Sequence, residues 1–212
     1  MTTSDTTDHP PFEWIGGRTS LDFSNTVTWA GAELLNERLG RYGDLVDWAE
    51  QADILTEASA RRLRRAAREN PAGAQAALED SHTLRKAIHD VVGARADGRE
   101  PARHAADTLN RFLGRALGRL RLGVEGDACS WVFADEGEEL DRMLWPVAWA
   151  AASLLTSADA PLVRRCASER CGWLFVDRSR NRSRRWCDMK SCGNSAKARR
   201  HYARKSGSDD SR

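Results

Sequence analysis

The sequence predicts an α+β chain, a mainly helical N-terminal domain with one small β-hairpin followed by a small cysteine-rich module. Three observations carry this. Apolar residues recur at three- and four-residue steps through most of residues 42–156. One stretch, residues 119–134, alternates with a period of two around Glu125-Gly126-Asp127. Four cysteines stand as Cys166-x4-Cys171 and Cys187-x4-Cys192, with fifteen residues between the pairs.

Taken in order, residues 1–10 are polar and read as disordered. Phe12-Glu13-Trp14-Ile15 reads as a short strand closed by Gly16-Gly17. Thr19 or Ser20 then caps a helix through Leu21, Phe23 and Val27, with Asp22 near its positive end. Asn25, Thr26 and Trp29 are candidates to line a small-molecule pocket, because an amide and a hydroxyl beside an indole can orient a polar or aromatic ligand; the competing reading is that all three are structural.

Helices are expected from Tyr42 to Ala52, from Thr56 and Ser59 with Leu63 and Ala66 inward, from Ala72 towards Ala96 after a break at Asn70-Pro71, and from Pro101 through Leu109 and Phe112. Arg61, Arg62, Arg64, Arg65 and Arg68 cluster on the second of these and read as a salt-bridged surface. The hairpin follows, and Cys129 within it reads as a buried structural thiol. A last helix spans 135–156, kinked or restarted at Pro146. Residues 157–161 are small and read as a linker.

In the module, Leu162–Arg165 and Trp173–Val176 form a second hairpin around the first cysteine pair. Four thiolates satisfy the tetrahedral preference of Zn²⁺ and leave no open position, so the spacing points to one structural zinc rather than to disulfides or free thiols. The remaining order is a finger over 162–205 and a tail over 206–212. From Arg178 to Lys205 the chain carries eleven Arg or Lys against one acid, Asp188. Residues 161–212 have a net charge of +10 and residues 1–160 a net charge of −8, so contact with a polyanion belongs to the C-terminal part.

Residues 175–189, Phe-Val-Asp-Arg-Ser-Arg-Asn-Arg-Ser-Arg-Arg-Trp-Cys-Asp-Met, followed by Cys192-Gly193-Asn194, resemble the CGNR zinc-finger family. The last position of that motif is Ser195 here, not arginine, and Lys197, Arg199 and Arg200 lie near enough to substitute. The resemblance implies a treble-clef-like module that binds DNA. Leu21-Asp22-Phe23-Ser24-Asn25-Thr26-Val27 resembles the start of the ABATE domain, which implies stress-induced transcription regulation and makes 11–156 a sensing or assembly domain.

The expected function is therefore a DNA-binding transcription regulator. Zinc sits on Cys166, Cys171, Cys187 and Cys192, and Arg182, Arg184, Arg185, Lys197, Arg199 and Arg200 face phosphate. An RNA-binding zinc protein and a zinc-scaffolded adaptor are the alternatives. No nucleophile with a base at recognisable spacing, phosphate-binding glycine loop or open metal site speaks for an enzyme. No run of about twenty apolar residues and no N-terminal leader pattern stands in the chain, so a cytoplasmic protein off the membrane is expected. A single small zinc module binds weakly, which leaves room for a homodimer, with no surface assigned to it.

Overall fold

The computed structural model describes residues 12–31, 33–133 and 137–199. The expectations for 1–10, for 206–212 and for the part of the finger beyond residue 199 lie outside the described residues.

The architecture is built around one long helix. Pro71 supplies an N-terminal residue whose missing N–H costs nothing there, and the Asn70 side chain accepts from Gly73 N at 2.9 Å, so the chain enters α4 (Pro71–Ala96) well capped. Helices α2 (Tyr42–Gln51), α3 (Glu57–Glu69), α5 (Arg103–Leu117) and α6 (Leu144–Leu155) pack on it. Thr56 caps α3 by accepting from Ser59 N at 3.2 Å. On the exposed side of α3, Arg64 reaches both Asp47 and Glu50 of α2, and Arg61 pairs with Glu57, as expected of a salt-bridged face. The core holds Leu21, Phe23, Trp48, Leu84, Ile88, Met143 and Leu144, and burial of each such side chain stabilises by about 1.5–3 kcal/mol.

Several local expectations give way to longer-range partners. Residues 12–15 form no strand. Gly16 accepts from Val176 N at 2.9 Å and donates to Asp22 Oδ1 at 2.8 Å, which bends the chain straight into α1 (Thr19–Ser24). That helix stops at Ser24, not Val27, because Asn25 turns its side chain away to a distant strand. Val27 instead opens β1 (Val27–Ala30), paired antiparallel with β2 (Glu33–Glu37), a hairpin that the helical reading of this stretch missed. Helix α6 starts at Leu144 after a turn over 140–143, which puts Pro146 in its first turn and removes any kink.

The expected hairpin is present as β3 (Leu120–Glu125) and β4 (Ala128–Phe133). Cys129 is exposed, contrary to its reading as a buried thiol, because the outer half of that hairpin stands clear of the helices. Strands β5 (Val163–Arg165) and β6 (Leu174–Val176) form the hairpin of the cysteine-rich module.

This last hairpin is not a separate body. Val163, Leu174 and Val176 belong to the same hydrophobic core as the helices, and β5 and β6 pack on α4 and α1. Residues 157–161 form an ordered turn, in which the Asp159 carboxylate pairs with Arg18 on one side and Arg178 on the other.

Candidate metal centre and basic surface

Cys166 and Cys171 sit in the knuckle between β5 and β6. Cys187 precedes a short helical turn, Met189–Gly193, and Cys192 lies within it; the turn's first free N–H groups are capped by Asp188 accepting from Ser191 N at 2.9 Å. Residues 194–199 continue as helix, so two ligands come from a knuckle and two from the approach to a helix, a treble-clef-like arrangement.

The four Sγ atoms all lie within 4.8 Å of one another. Cys187 Sγ is 3.6 Å from both Cys171 Sγ and Cys192 Sγ. A Zn–S bond of about 2.3 Å gives a tetrahedral edge of about 3.8 Å, whereas a disulfide would need about 2.05 Å, so the donor set fits one zinc ion and not a bridge. Without a cation the thiols oppose one another. Hydrogen bonds from Cys171 and Cys187 hold Cys166 below the ordinary thiol value, and sharing with Cys166 pushes both of those up. A divalent ion removes that conflict and supplies a structural cross-link, with every coordination position taken.

The sulfurs are well seated. Cys187 N donates to Cys166 Sγ at 3.4 Å, and Cys166 N donates to Trp173 O at 2.8 Å. Trp173 and Phe175 form a small core around the cluster, with Ile15 and Trp186 against it. A cation from the helical domain also reaches it. Arg38 is buried with its guanidinium 4.9 Å from the centre of the Trp173 ring, and burial draws it below its ordinary value against the opposing pull of Glu13, Cys171 and Glu37. Four thiolates around Zn²⁺ leave a charge of −2, which this guanidinium partly offsets.

The residues expected to line a ligand pocket fall at the join. Asn25 Nδ2 donates to Leu174 O at 2.9 Å and Asn25 Oδ1 accepts from Leu174 N at 3.0 Å, so its amide pairs with β6 as another strand would. Thr26 Oγ1 donates to Phe23 O and accepts from Arg85. Trp29 N donates to Cys171 O at 3.0 Å, and its ring stacks on His89 with centroids 4.9 Å apart. Trp29 and His89 line a cavity of about 660 Å³ between α4 and the knuckle, together with Asp97, Arg99, Arg165 and Ser168. Arg165 crosses it to meet Asp97 and His89. Gly172 closes the seam at φ 68°, where a Cβ would lie 2.7 Å from the Cβ of Trp29 and 3.0 Å from its carbonyl oxygen.

The basic loop is shaped by Asp177, which is buried and whose importance the sequence reading missed. Its carboxylate accepts from Ser179 N, Ser179 Oγ and Arg184 N, and holds the loop so that Arg182 adopts a left-handed φ of 49°. A lone acid directly before an Arg-rich run was the available signal. Arg182, Arg185, Lys197 and Arg199 are exposed. Arg184 is not presented with them. It is half-buried, its guanidinium lies 4.3 Å from the centre of the Phe175 ring, Nε donates to Trp186 O at 3.0 Å and Nη2 donates to Cys187 O. Arg200 lies outside the described residues.

Among known families, residues 17–158 match ABATE, described as "Putative stress-induced transcription regulator", and residues 163–205 match the CGNR zinc finger. No curated protein matches the chain. No helix among the described residues is long and apolar enough to cross a membrane.

Proposed function

We propose, for a chain that belongs to the ABATE family and carries a CGNR zinc finger, that it is a cytoplasmic DNA-binding transcription regulator whose zinc module grips the phosphate backbone. The observation that carries this reading is the outward display of Arg182, Arg185, Lys197 and Arg199 on a scaffold pinned by the four cysteines. Among the described residues none of these four side chains is in an ion pair, so their charge is available to phosphate oxygens, and counterion release follows. Trp186, the aromatic on which an RNA base would stack, is half-buried with Arg185 over its ring, which favours a duplex backbone over unpaired bases.

The helical domain supplies the regulatory half of the proposal. A small polar molecule in the cavity lined by Trp29, His89, Asp97 and Arg165 would touch α4 and the zinc knuckle at once, and so bias the pose of the basic loop.

The test separates the arginines. Arg185→Ala is expected to lower the slope of log affinity against log salt by about 0.9, one phosphate contact, in fluorescence anisotropy with duplex DNA. Arg184→Ala should instead speed zinc release to a chromogenic chelator, because it strips the carbonyls of Trp186 and Cys187 of their donor. A salt slope untouched by Arg182→Ala and Arg185→Ala together would remove this loop from any DNA interface.

A further inference from the structure

The β3–β4 hairpin has two unlike faces. Leu120, Leu122 and Val124 share one with their cross-strand partners Phe133, Trp131 and Cys129. Phe133 packs against the core, but Leu122, Val124 and Trp131 are 60%, 68% and 63% exposed, so an apolar strip runs out from the core with nothing over it. The other face carries Arg121, Gly123 and Glu125 opposite Val132, Ser130 and Ala128. Among the described residues neither Arg121, whose guanidinium donates to Gly118 O at 3.0 Å and Leu120 O at 2.8 Å, nor Glu125 has an ion-pair partner, and no strand pairs with the outer edge of β3.

The turn decides which backbone groups face that edge. Glu125 and Ala128 flank a two-residue loop, with Gly126 at φ 57° as a type II′ turn requires. In such a hairpin the flanking pair exchanges both of its hydrogen bonds. Glu125, Gly123 and Arg121 therefore aim their backbone groups at β4, and Leu120, Leu122 and Val124 aim theirs outward. An incoming antiparallel strand must hydrogen-bond to the outward set.

We propose that β3 pairs with β3 of a second copy of this chain, across a two-fold axis at Gly123. Charge complementarity selects both occupant and register. With the axis at Gly123, Arg121 faces the partner's Glu125 and Glu125 faces the partner's Arg121, while Leu122 and the partner's Val124 exchange backbone hydrogen bonds. Moving the axis to Leu122 sets Arg121 against glycine and leaves Glu125 opposite the partner's Arg119, before the strand begins; moving it to Val124 sets Glu125 against glycine and leaves Arg121 opposite the partner's Asp127 in the turn, so only the axis at Gly123 forms both charge pairs within the paired strands. The edge of β4, Ala128–Phe133, carries no charge to set a register. The paired hairpins form a four-stranded sheet with two rows of apolar side chains on one face: Trp131, Leu122, the partner's Val124 and the partner's Cys129, and the same row reversed. The interface is isologous, as a closed dimer requires, and it removes an open edge that would otherwise invite unspecific pairing.

Light scattering on the full chain tests this without DNA. The expected mass is about twice 23.6 kDa. Arg121→Glu and Glu125→Arg, both on exposed positions, should each be monomeric with unchanged far-ultraviolet circular dichroism, since each sets like charges face to face. Mixed one to one they should form a heterodimer, because one chain then offers two acids and the other two bases. A monomeric native chain at high micromolar concentration would overturn the proposal. So would a dimer indifferent to both substitutions, or two monomeric variants that fail to associate on mixing.

Discussion

Removal of zinc is expected to unfold the module from residue 163 onward and to loosen the helical domain with it. Structural zinc in small modules contributes about 10–16 kcal/mol of binding free energy, against a total stability of about 5–15 kcal/mol for a typical domain. The hairpin β5–β6 is too small to close a core of its own and lends Val163, Leu174 and Val176 to the shared core. Once the four cysteines are released, Leu174 withdraws from Asn25 and Trp173 Nε1 from Val27 O, leaving buried polar groups unpaired on the helical side. Chelation, or Cys187→Ser, should therefore lower the unfolding temperature of the whole chain, and hydrogen exchange should show lost protection in residues 16–29 as well as in the module. Protection unchanged in 16–29 would show the two parts to be energetically independent.

Gly172→Ala should be nearly as damaging, although residue 172 is not one of the four cysteine ligands. The position combines a left-handed backbone with close approach to the Trp29 backbone, so alanine meets both conformational strain and a clash that no side-chain rotation relieves. Each effect costs about 1–3 kcal/mol, and together they exceed what most single surface changes do. Urea denaturation should report the loss as a lower midpoint. The accompanying prediction is quenched or shifted Trp29 fluorescence as the indole leaves His89, read against a Trp29→Phe background. A midpoint within error of the native chain would mean that the seam is softer than its geometry implies.

These two expectations mark where the sequence was legible and where it was not. The metal centre was readable from spacing alone because all four ligands lie within 27 residues and thiolate chemistry leaves few alternatives. Helices α2 to α5 were readable because amphipathic periodicity, the Thr56 start signal and the Asn70-Pro71 break are local. The stretch from Phe12 to Asn25 was misread for the opposite reason. Its partners lie about 150 residues away, so nothing local announces that Asn25 will pair with Leu174 or that Gly16 will take a bond from Val176. The β-branched and aromatic run Val27-Thr28-Trp29 ahead of Gly31 was a strand signal, outweighed by the helical pattern before it. Arg184 was grouped with its neighbours by charge, and only the fold shows that its guanidinium faces the carbonyls beside the cluster.

The clamp between Asn25 and Leu174 also has a consequence for synthesis. Asn25 is translated 149 residues before Leu174, so the seam stays open until β6 has followed it out of the ribosome. Over that interval Gly16, Asn25 and Val27 keep unpaired backbone and amide groups, and the helices lack part of their core. Closure of a loop that long is slow, and it follows folding of the cysteine-rich hairpin rather than preceding it. Metal supply during translation thus sets how long each new chain remains unfinished, and zinc-starved cells should accumulate protease-sensitive chains whose helical half has been made in full.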